Sequence, residues 1–215
     1  MEIKMGHRKI ESLLPGEIEK RSFEIITEEL LKRGIHIAGE EAPIVKRVIH
    51  TSADFDYTKT LCFSKDAVKI LKGLIRNGAD IVTDTNMALA GINKKALARF
   101  GGRAHCFMAD EEVALSAEQR NITRAAVSME KAAKIGKPVI FAIGNAPTAL
   151  LKLYELSKEG AWKPDFIIGV PVGFVNVEAA KERILETEIP YIVNRGRKGG
   201  SSIAAAICNA VLKIC

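Results

Sequence analysis

Residues 138–148 read Pro-Val-Ile-Phe-Ala-Ile-Gly-Asn-Ala-Pro-Thr, an aliphatic run that ends in a turn containing glycine and proline. A short, unbroken apolar run bounded in this way is typical of a strand buried on both faces of a parallel sheet. Pro147 is compatible with the first turn of a helix, so we expect the turn to lead directly into one. Strand, tight turn and helix in this order indicate an α/β fold.

The same rhythm recurs on both sides of this stretch. Four further runs have strand character: Asp80–Thr83, Ala104–Phe107, Asp165–Ile168 and Pro190–Val193. Helical patterns alternate with them, over Lys94–Arg99, Glu118–Lys134, Thr148–Lys158, Val177–Glu186 and Ser201–Ile214. Strands separated by helices predict right-handed crossovers. We therefore expect a three-layer α/β sandwich of the flavodoxin-like class, with a mainly parallel sheet of about five strands whose order stays open.

Helical patterns also precede the first of these strands. One covers Pro15–Arg33, a second carries the apolar stripe Ile44, Val45, Val48 and Ile49, and a third covers Lys65–Arg76. We find no internal repeat, linker or low-complexity segment, so the chain is predicted to form a single domain over residues 1–215.

Composition narrows the class of function. The chain has 215 residues, of which 47% are hydrophobic and 27% charged, so a packed core is expected. The formal net charge is +6, but the basic residues are spread along the chain rather than gathered in one stripe. Nucleic acid is therefore not favoured as a partner, whereas a small substrate with many carboxylates would suit the charge equally well.

The cysteines and the chain start indicate a cytoplasmic protein. None of the four cysteines forms a C-x-x-C pair, so we expect reduced thiols and no metal site. The first residues lack the apolar core of a signal peptide. The most apolar stretch, residues 166–177, is broken by two glycines and a proline, so no membrane association is expected.

The most unusual loops follow the predicted strands. Ligands of open α/β sheets bind beyond the carboxyl ends of the strands. Here those ends lead into Asp84-Thr85, Gly144–Thr148, Gly169–Gly173 and Asn194–Ser201. We expect these loops to share one edge of the sheet.

Each loop allows two interpretations. Gly196-Arg-Lys-Gly-Gly-Ser201 suits an anion site at a helix start or, equally, a solvated turn. In the loop after Ile143, Asn145 or Thr148 could cap the next helix, and Asn145 could instead contact a ligand. The apolar segment Gly169–Val175 could support a flat hydrophobic ligand or simply extend a buried strand.

His50 is the strongest candidate for acid–base chemistry. It follows the apolar stripe of a helix and precedes Thr51, Ser52 and Asp54, which could orient an imidazole. From the residues alone a structural role for His50 is favoured over a catalytic one, and His105 in a predicted strand is expected to be packed or hydrogen-bonded. No nucleophile elbow or metal-binding cluster is present, so binding and acid–base chemistry are favoured.

These segments together resemble the precorrin-8X methylmutase family, including members that act on cobalt-precorrin-8. The resemblance runs from Ile18 to Val211. It is carried by Arg21–Phe23, Val48–Asp56, Phe63-Ser64, Asp84, Met87, Gly91-Ile92, Thr123-Arg124, Gly144–Leu150, Gly169–Val175 and Gly196–Ser201.

The resemblance implies an isomerase of cobalamin biosynthesis that moves a methyl group from C-11 to C-12 of a corrin precursor. The product is cobyrinate from the cobalt form and hydrogenobyrinate from the metal-free form. A homodimer without a dissociable cofactor is implied, with His50 as the catalytic histidine. The predicted substrate-binding residues are Ser22, Asp84, Arg124, Asn145, Thr148, Gly196, Arg197, Lys198, Gly199, Gly200 and Ser201.

Two other functions stay in view. A corrinoid carrier on the same fold would bind the macrocycle without turnover. A nucleotide-binding protein is disfavoured, because the phosphate-binding fingerprints are not matched. The stretch Ile49–Asp56 is more similar to family members that act on the cobalt form, which favours the cobalt-containing substrate.

Overall fold

A computed structural model describes residues 11–37, 39–160 and 162–215. Its sheet has six strands: β1 Leu61–Phe63, β2 Asp80–Thr83, β3 Ala104–His105, β4 Val139–Ile143, β5 Phe166–Gly169 and β6 Tyr191–Asn194. Their spatial order is β1-β6-β5-β4-β2-β3, and β1 alone pairs antiparallel with its neighbour. The five parallel strands, counted along the chain, therefore run 2-1-3-4-5, which is the flavodoxin-like order.

The helices cover the following ranges: α1 Pro15–Lys32, α2 Ala42–Ser52, α3 Tyr57–Thr60, α4 Ala67–Arg76, α5 Asn86–Gly91, α6 Lys94–Ala98, α7 Glu111–Gln119, α8 Arg124–Ala132, α9 Pro147–Lys158, α10 Val177–Leu185 and α11 Ser201–Ile214, with a 3-10 turn at Gly39–Glu41. No described helix is long and apolar enough to cross a membrane.

The hydrophobic core lies on the faces of the central strands. Both β4 and β5 are buried along their whole length, as expected for aliphatic strands covered by helices. Phe141, Ile143 and Ile167 share one cluster with residues of α8, α9 and α10. On the opposite face α11 packs against α2, α4 and α5 and contacts β4 and β5. The three-layer α/β sandwich is thus confirmed.

The chain divides into two compact units between His36 and Ile37. The first contains α1, and the second contains the sheet and the other helices of the described residues. A single domain over residues 1–215 stays a prediction.

Two sequence-based predictions need correction. The sheet has a sixth strand, β1, which pairs antiparallel at one edge. The sequence did not predict it, because three residues are too short to show a strand pattern. The expected helix over Glu118–Lys134 is two helices, α7 and α8. Asn121 adopts a left-handed backbone with φ of 50°, and the Thr123 hydroxyl accepts a hydrogen bond from Ala126 N at 3.2 Å, which starts a new helix.

Candidate active site

The loops at the carboxyl ends of the parallel strands are bonded to one another. Gly200 N donates to Val170 O at 2.8 Å, and Gly173 N donates to Arg197 O at 3.2 Å. The hydroxyls of Thr85 and Ser201 lie 2.7 Å apart. The expectation that these loops share one edge of the sheet is confirmed, and the edge is a single hydrogen-bonded surface.

Close packing between the loops depends on two glycines. A Cβ on Gly144 would lie 2.6 Å from Ser201 Cα, and a Cβ on Gly199 would lie 2.1 Å from Val170 O. Both contacts are backbone contacts that a side chain would break. The glycines therefore let the loops after β4, β5 and β6 approach each other.

Asp84 organises the loop after β4. Its buried carboxylate accepts hydrogen bonds from the N–H groups of Gly144, Asn145 and Ala146 at 2.8, 2.8 and 2.5 Å. Burial raises the pKa of Asp84, and the three amides act against that rise. The carboxylate thus satisfies the donors that precede α9, where neither Asn145 nor Thr148 serves as the N-cap. The Asn145 side chain is left at the exposed edge.

The loop Arg195–Gly200, called here the glycine loop, rests on two fully buried polar side chains. Lys181 Nζ donates to the carbonyls of Gly196 and Lys198 at 2.7 and 2.8 Å. Asn194 Nδ2 donates to the carbonyls of Arg195 and Lys198 at 3.1 and 2.8 Å. Burial lowers the pKa of Lys181 to about 8. Sequence reasoning missed both supports.

The two cations of the glycine loop have acidic partners within the chain. Lys198 Nζ lies 2.6 Å from both Asp54 Oδ2 and Asp56 Oδ2, which raises the pKa of the lysine. Arg197 Nε lies 3.0 Å from Glu178 Oε2, on α10. Binding of a substrate carboxylate by either side chain therefore requires an exchange or a sharing of partners.

His50 lies in the last turn of α2, and its side chain is exposed. The predicted stripe of Ile44, Val45, Val48 and Ile49 is buried, so the backbone before the histidine is firmly anchored. Ala53 then ends the helix in a left-handed conformation with φ of 55°. The chain continues through Asp54 and Asp56, whose carboxylates hold Lys198, so the His50 segment is tied to the glycine loop.

Arg124 and Thr148 lie in the first turns of α8 and α9, and a hydrogen bond joins the starts of these two helices. Arg124 is the first residue of α8, and Thr123, its N-cap, donates from its hydroxyl to Thr148 Oγ1 at 2.9 Å. The exposed Arg124 borders a groove of about 590 Å³ between α7 and the start of α8. Within the described residues its guanidinium has no ion-pair partner.

Comparison with known proteins assigns the family. The precorrin-8X methylmutase family model matches residues 17–214. The chain belongs to the precorrin-8X methylmutase family. Because a methylmutase moves a methyl group within one molecule, this is a family of isomerases.

Individual methylmutases match over most of their length. A cobalt-precorrin-8 methylmutase of Priestia megaterium is 46% identical over 92% of this chain and 87% of its own. A precorrin-8X methylmutase of a Sinorhizobium species is 36% identical, over 91% and 93%. The crystallographically analysed precorrin-8x methylmutase of Thermus thermophilus is 37% identical, with a TM-score of 0.83 over 92% of this chain and 96% of its own.

One predicted substrate contact belongs to the other compact unit of this methylmutase. Ser22 is on α1, in the unit that precedes Ile37, and its hydroxyl donates to Ile18 O at 2.9 Å. Its assignment to the substrate comes from the family resemblance alone and stays a prediction.

The methylmutase edge also carries exposed apolar side chains. Phe174 is 81% exposed and Val175 is 76% exposed, both in the loop after β5. Val172 in the same loop and Met87 on α5 are exposed as well. An apolar surface next to the glycine loop suits a ligand with flat apolar faces and a polar periphery.

Proposed function

We propose that this chain converts cobalt-precorrin-8 into cobyrinate by moving the methyl group at C-11 to C-12. The observation that carries the proposal is the bridge from Lys198 to Asp54 and Asp56, which ties the His50 segment to the glycine loop at the ligand-binding edge. The reaction is proposed from membership of the family, and the residues at this edge are proposed to carry it out.

The reaction requires little covalent help from the protein. A methyl shift along the conjugated ring transfers no electrons to or from the enzyme, so the task is to hold one tautomer and stabilise the charge that develops. His50 is proposed to donate a proton to the conjugated macrocycle as charge develops and to recover a proton when the product forms, since histidine exchanges protons near neutral pH. The new C–CH₃ bond forms as the old one breaks, and the electron pair stays in the macrocycle.

The remaining predicted residues are proposed to hold the substrate. The glycine loop and Arg124 would bind the peripheral carboxylates through N–H groups and cations. Asn145 and Thr148 would add polar contacts beside them, and the exposed apolar side chains after β5 would lie against the ring. Asp84 would act indirectly, because its carboxylate accepts a hydrogen bond from the backbone N–H of Asn145 and so fixes the position of that residue.

The cobalt form is proposed as the natural substrate. A relative named for cobalt-precorrin-8 is 46% identical to this chain, compared with 36% for a relative named for precorrin-8X. We also propose a cytoplasmic location. A homodimer is proposed because exposed apolar side chains border the site, and a second subunit would help to enclose the large macrocycle.

The visible spectrum tests this proposal, because the methyl shift extends the conjugation of the ring. Purified protein should convert cobalt-precorrin-8 with a lasting spectral change, and should convert the metal-free substrate more slowly. A corrinoid carrier would instead release the ligand with its original spectrum. Release of an unchanged ligand would therefore show that the protein binds corrinoids without converting them.

A further inference from the structure

Lys181 lies beneath the glycine loop and is fully buried on α10. Its ammonium holds the carbonyls of Gly196 and Lys198, and no described carboxylate lies within ion-pair distance of it. Burying a charged amine in this way is unfavourable, and an apolar side chain of similar length would fill the space without that cost. The lysine therefore calls for an explanation beyond packing.

The orientation of the loop's peptide groups supplies one. In a planar trans peptide the C=O of one residue and the N–H of the next point in opposite directions. Because Lys181 draws the carbonyls of Gly196 and Lys198 inward, the N–H groups of Arg197 and Gly199 point outward. Among the described residues, neither of these two N–H groups donates a hydrogen bond.

We infer that Lys181 is a positioning residue, which turns the amides of Arg197 and Gly199 outward so that they receive a carboxylate of the substrate. The inference rests on the proposed function and specifies how the glycine loop would recognise its ligand. An ammonium that donates to the two carbonyls also polarises the peptide groups, which makes the outward N–H groups stronger donors. Asn194 supports only one of these two carbonyls, so the carbonyl of Gly196 depends on Lys181.

The experiment compares two ligands that differ only in their carboxylates. Cobyrinate and its fully methyl-esterified form are titrated calorimetrically into the wild-type protein and into Lys181→Met. Wild type should bind the free acid about tenfold more tightly or better, since hydrogen bonds to charged groups are the strong ones. In Lys181→Met that preference should be about threefold weaker than in wild type or weaker still, because the amides are no longer held outward while the cations of the site remain.

Ile184→Val is the matched control. Ile184 is buried one turn further along α10 and belongs to the hydrophobic core rather than to the loop contacts. This variant should lose stability but keep the wild-type preference for the acid. If Ile184→Val also lost its preference for the free acid, the effect of Lys181→Met would be explained by general destabilisation, and the inference would be overturned.

The possible failures are separable. If Lys181→Met keeps the wild-type preference, Lys181 does not position the loop. If the wild-type protein shows no preference for the free acid, the site does not recognise the substrate's carboxylates. That result would overturn this part of the proposed function, and with it the role of Lys181. Should Lys181→Met not fold, Lys181→Gln replaces it. Its uncharged amide can still donate hydrogen bonds but is one atom shorter than the lysine side chain, so a weakened preference is expected, and an unchanged one overturns the inference.

Discussion

At the scale of single residues, His50 combines exposure with an anchored backbone. The residue is exposed, while four buried residues of α2 hold the turn in which it lies. A histidine placed in this way keeps its position without being enclosed, which suits proton donation to a bound ring. The bridge from Lys198 to Asp54 and Asp56 keeps the following segment next to the glycine loop.

His50→Asn is predicted to keep the fold and the corrinoid complex, because Asn retains a hydrogen-bonding group of similar reach. Turnover should fall by roughly 10²- to 10⁴-fold, the usual span for loss of a general acid. The melting temperature and the single-turnover rate should be measured on the same preparation. A variant that is less stable but has a near-wild-type rate would make His50 a structural residue.

Lys181 should leave a pH signature in stability. Burial lowers its pKa from the ordinary 10.5 to about 8, so the unfolded chain binds more protons between these two values. The burial cost is complete below pH 8 and is relieved as the pH rises toward 10.5. The free energy of unfolding of wild type, minus that of Lys181→Met, should therefore rise by up to about 2 kcal/mol between pH 7 and pH 9.5. Urea titrations at both pH values measure it, and a flat difference would contradict a buried, charged lysine.

At the scale of elements, the glycine loop is the part of the site that combines charge with backbone donors. Replacing both Arg197 and Lys198 by Gln should raise KM more than it lowers kcat, because the carboxylate contact is made in ground and transition states alike. The effect should shrink as salt rises, since screening weakens these contacts in wild type too. Steady-state kinetics at low and high salt test this, and an unchanged KM at low salt would make the loop a structural turn.

The acidic partners of the two cations allow a finer comparison. Arg197→Gln removes the ion pair with Glu178 and the cation–π contact with Phe174, whereas Lys198→Gln removes the two ion pairs that hold the His50 segment. The second single variant should therefore lower kcat as well as raise KM. Equal kinetic profiles in the two variants would show that the Lys198 bridge does not position His50.

Sequence patterns predicted the elements that bury many aliphatic side chains and missed those that depend on few residues. The strands β2, β4, β5 and β6 were predictable because each is a buried aliphatic run, whereas β1 has only three residues. The loops of the site were predictable from their glycines and their place after strands. Lys181 was missed, although it occupies the buried stripe of Val177, Ala180 and Ile184 at helical spacing, where a lysine is out of place. Its partners are carbonyls, which no sequence pattern reveals.

At the scale of the whole molecule, a homodimer with the active site near its interface is predicted. The apolar side chains that are exposed after β5 border the proposed corrinoid site, and a second subunit could cover them together with the macrocycle. Light scattering combined with activity assays over a range of protein concentrations measures the state that turns over. An active monomer at working concentration would contradict this prediction.

The proposed reaction itself is tested most directly by following the migrating carbon. Substrate that carries a ¹³C-labelled methyl group at C-11 is converted by the purified protein, and the product is analysed by ¹³C NMR. The label should move completely to C-12, and unlabelled substrate added to the same reaction should yield only unlabelled product. Label that stays at C-11 while the protein binds the corrinoid would rule out the methyl shift and identify a carrier.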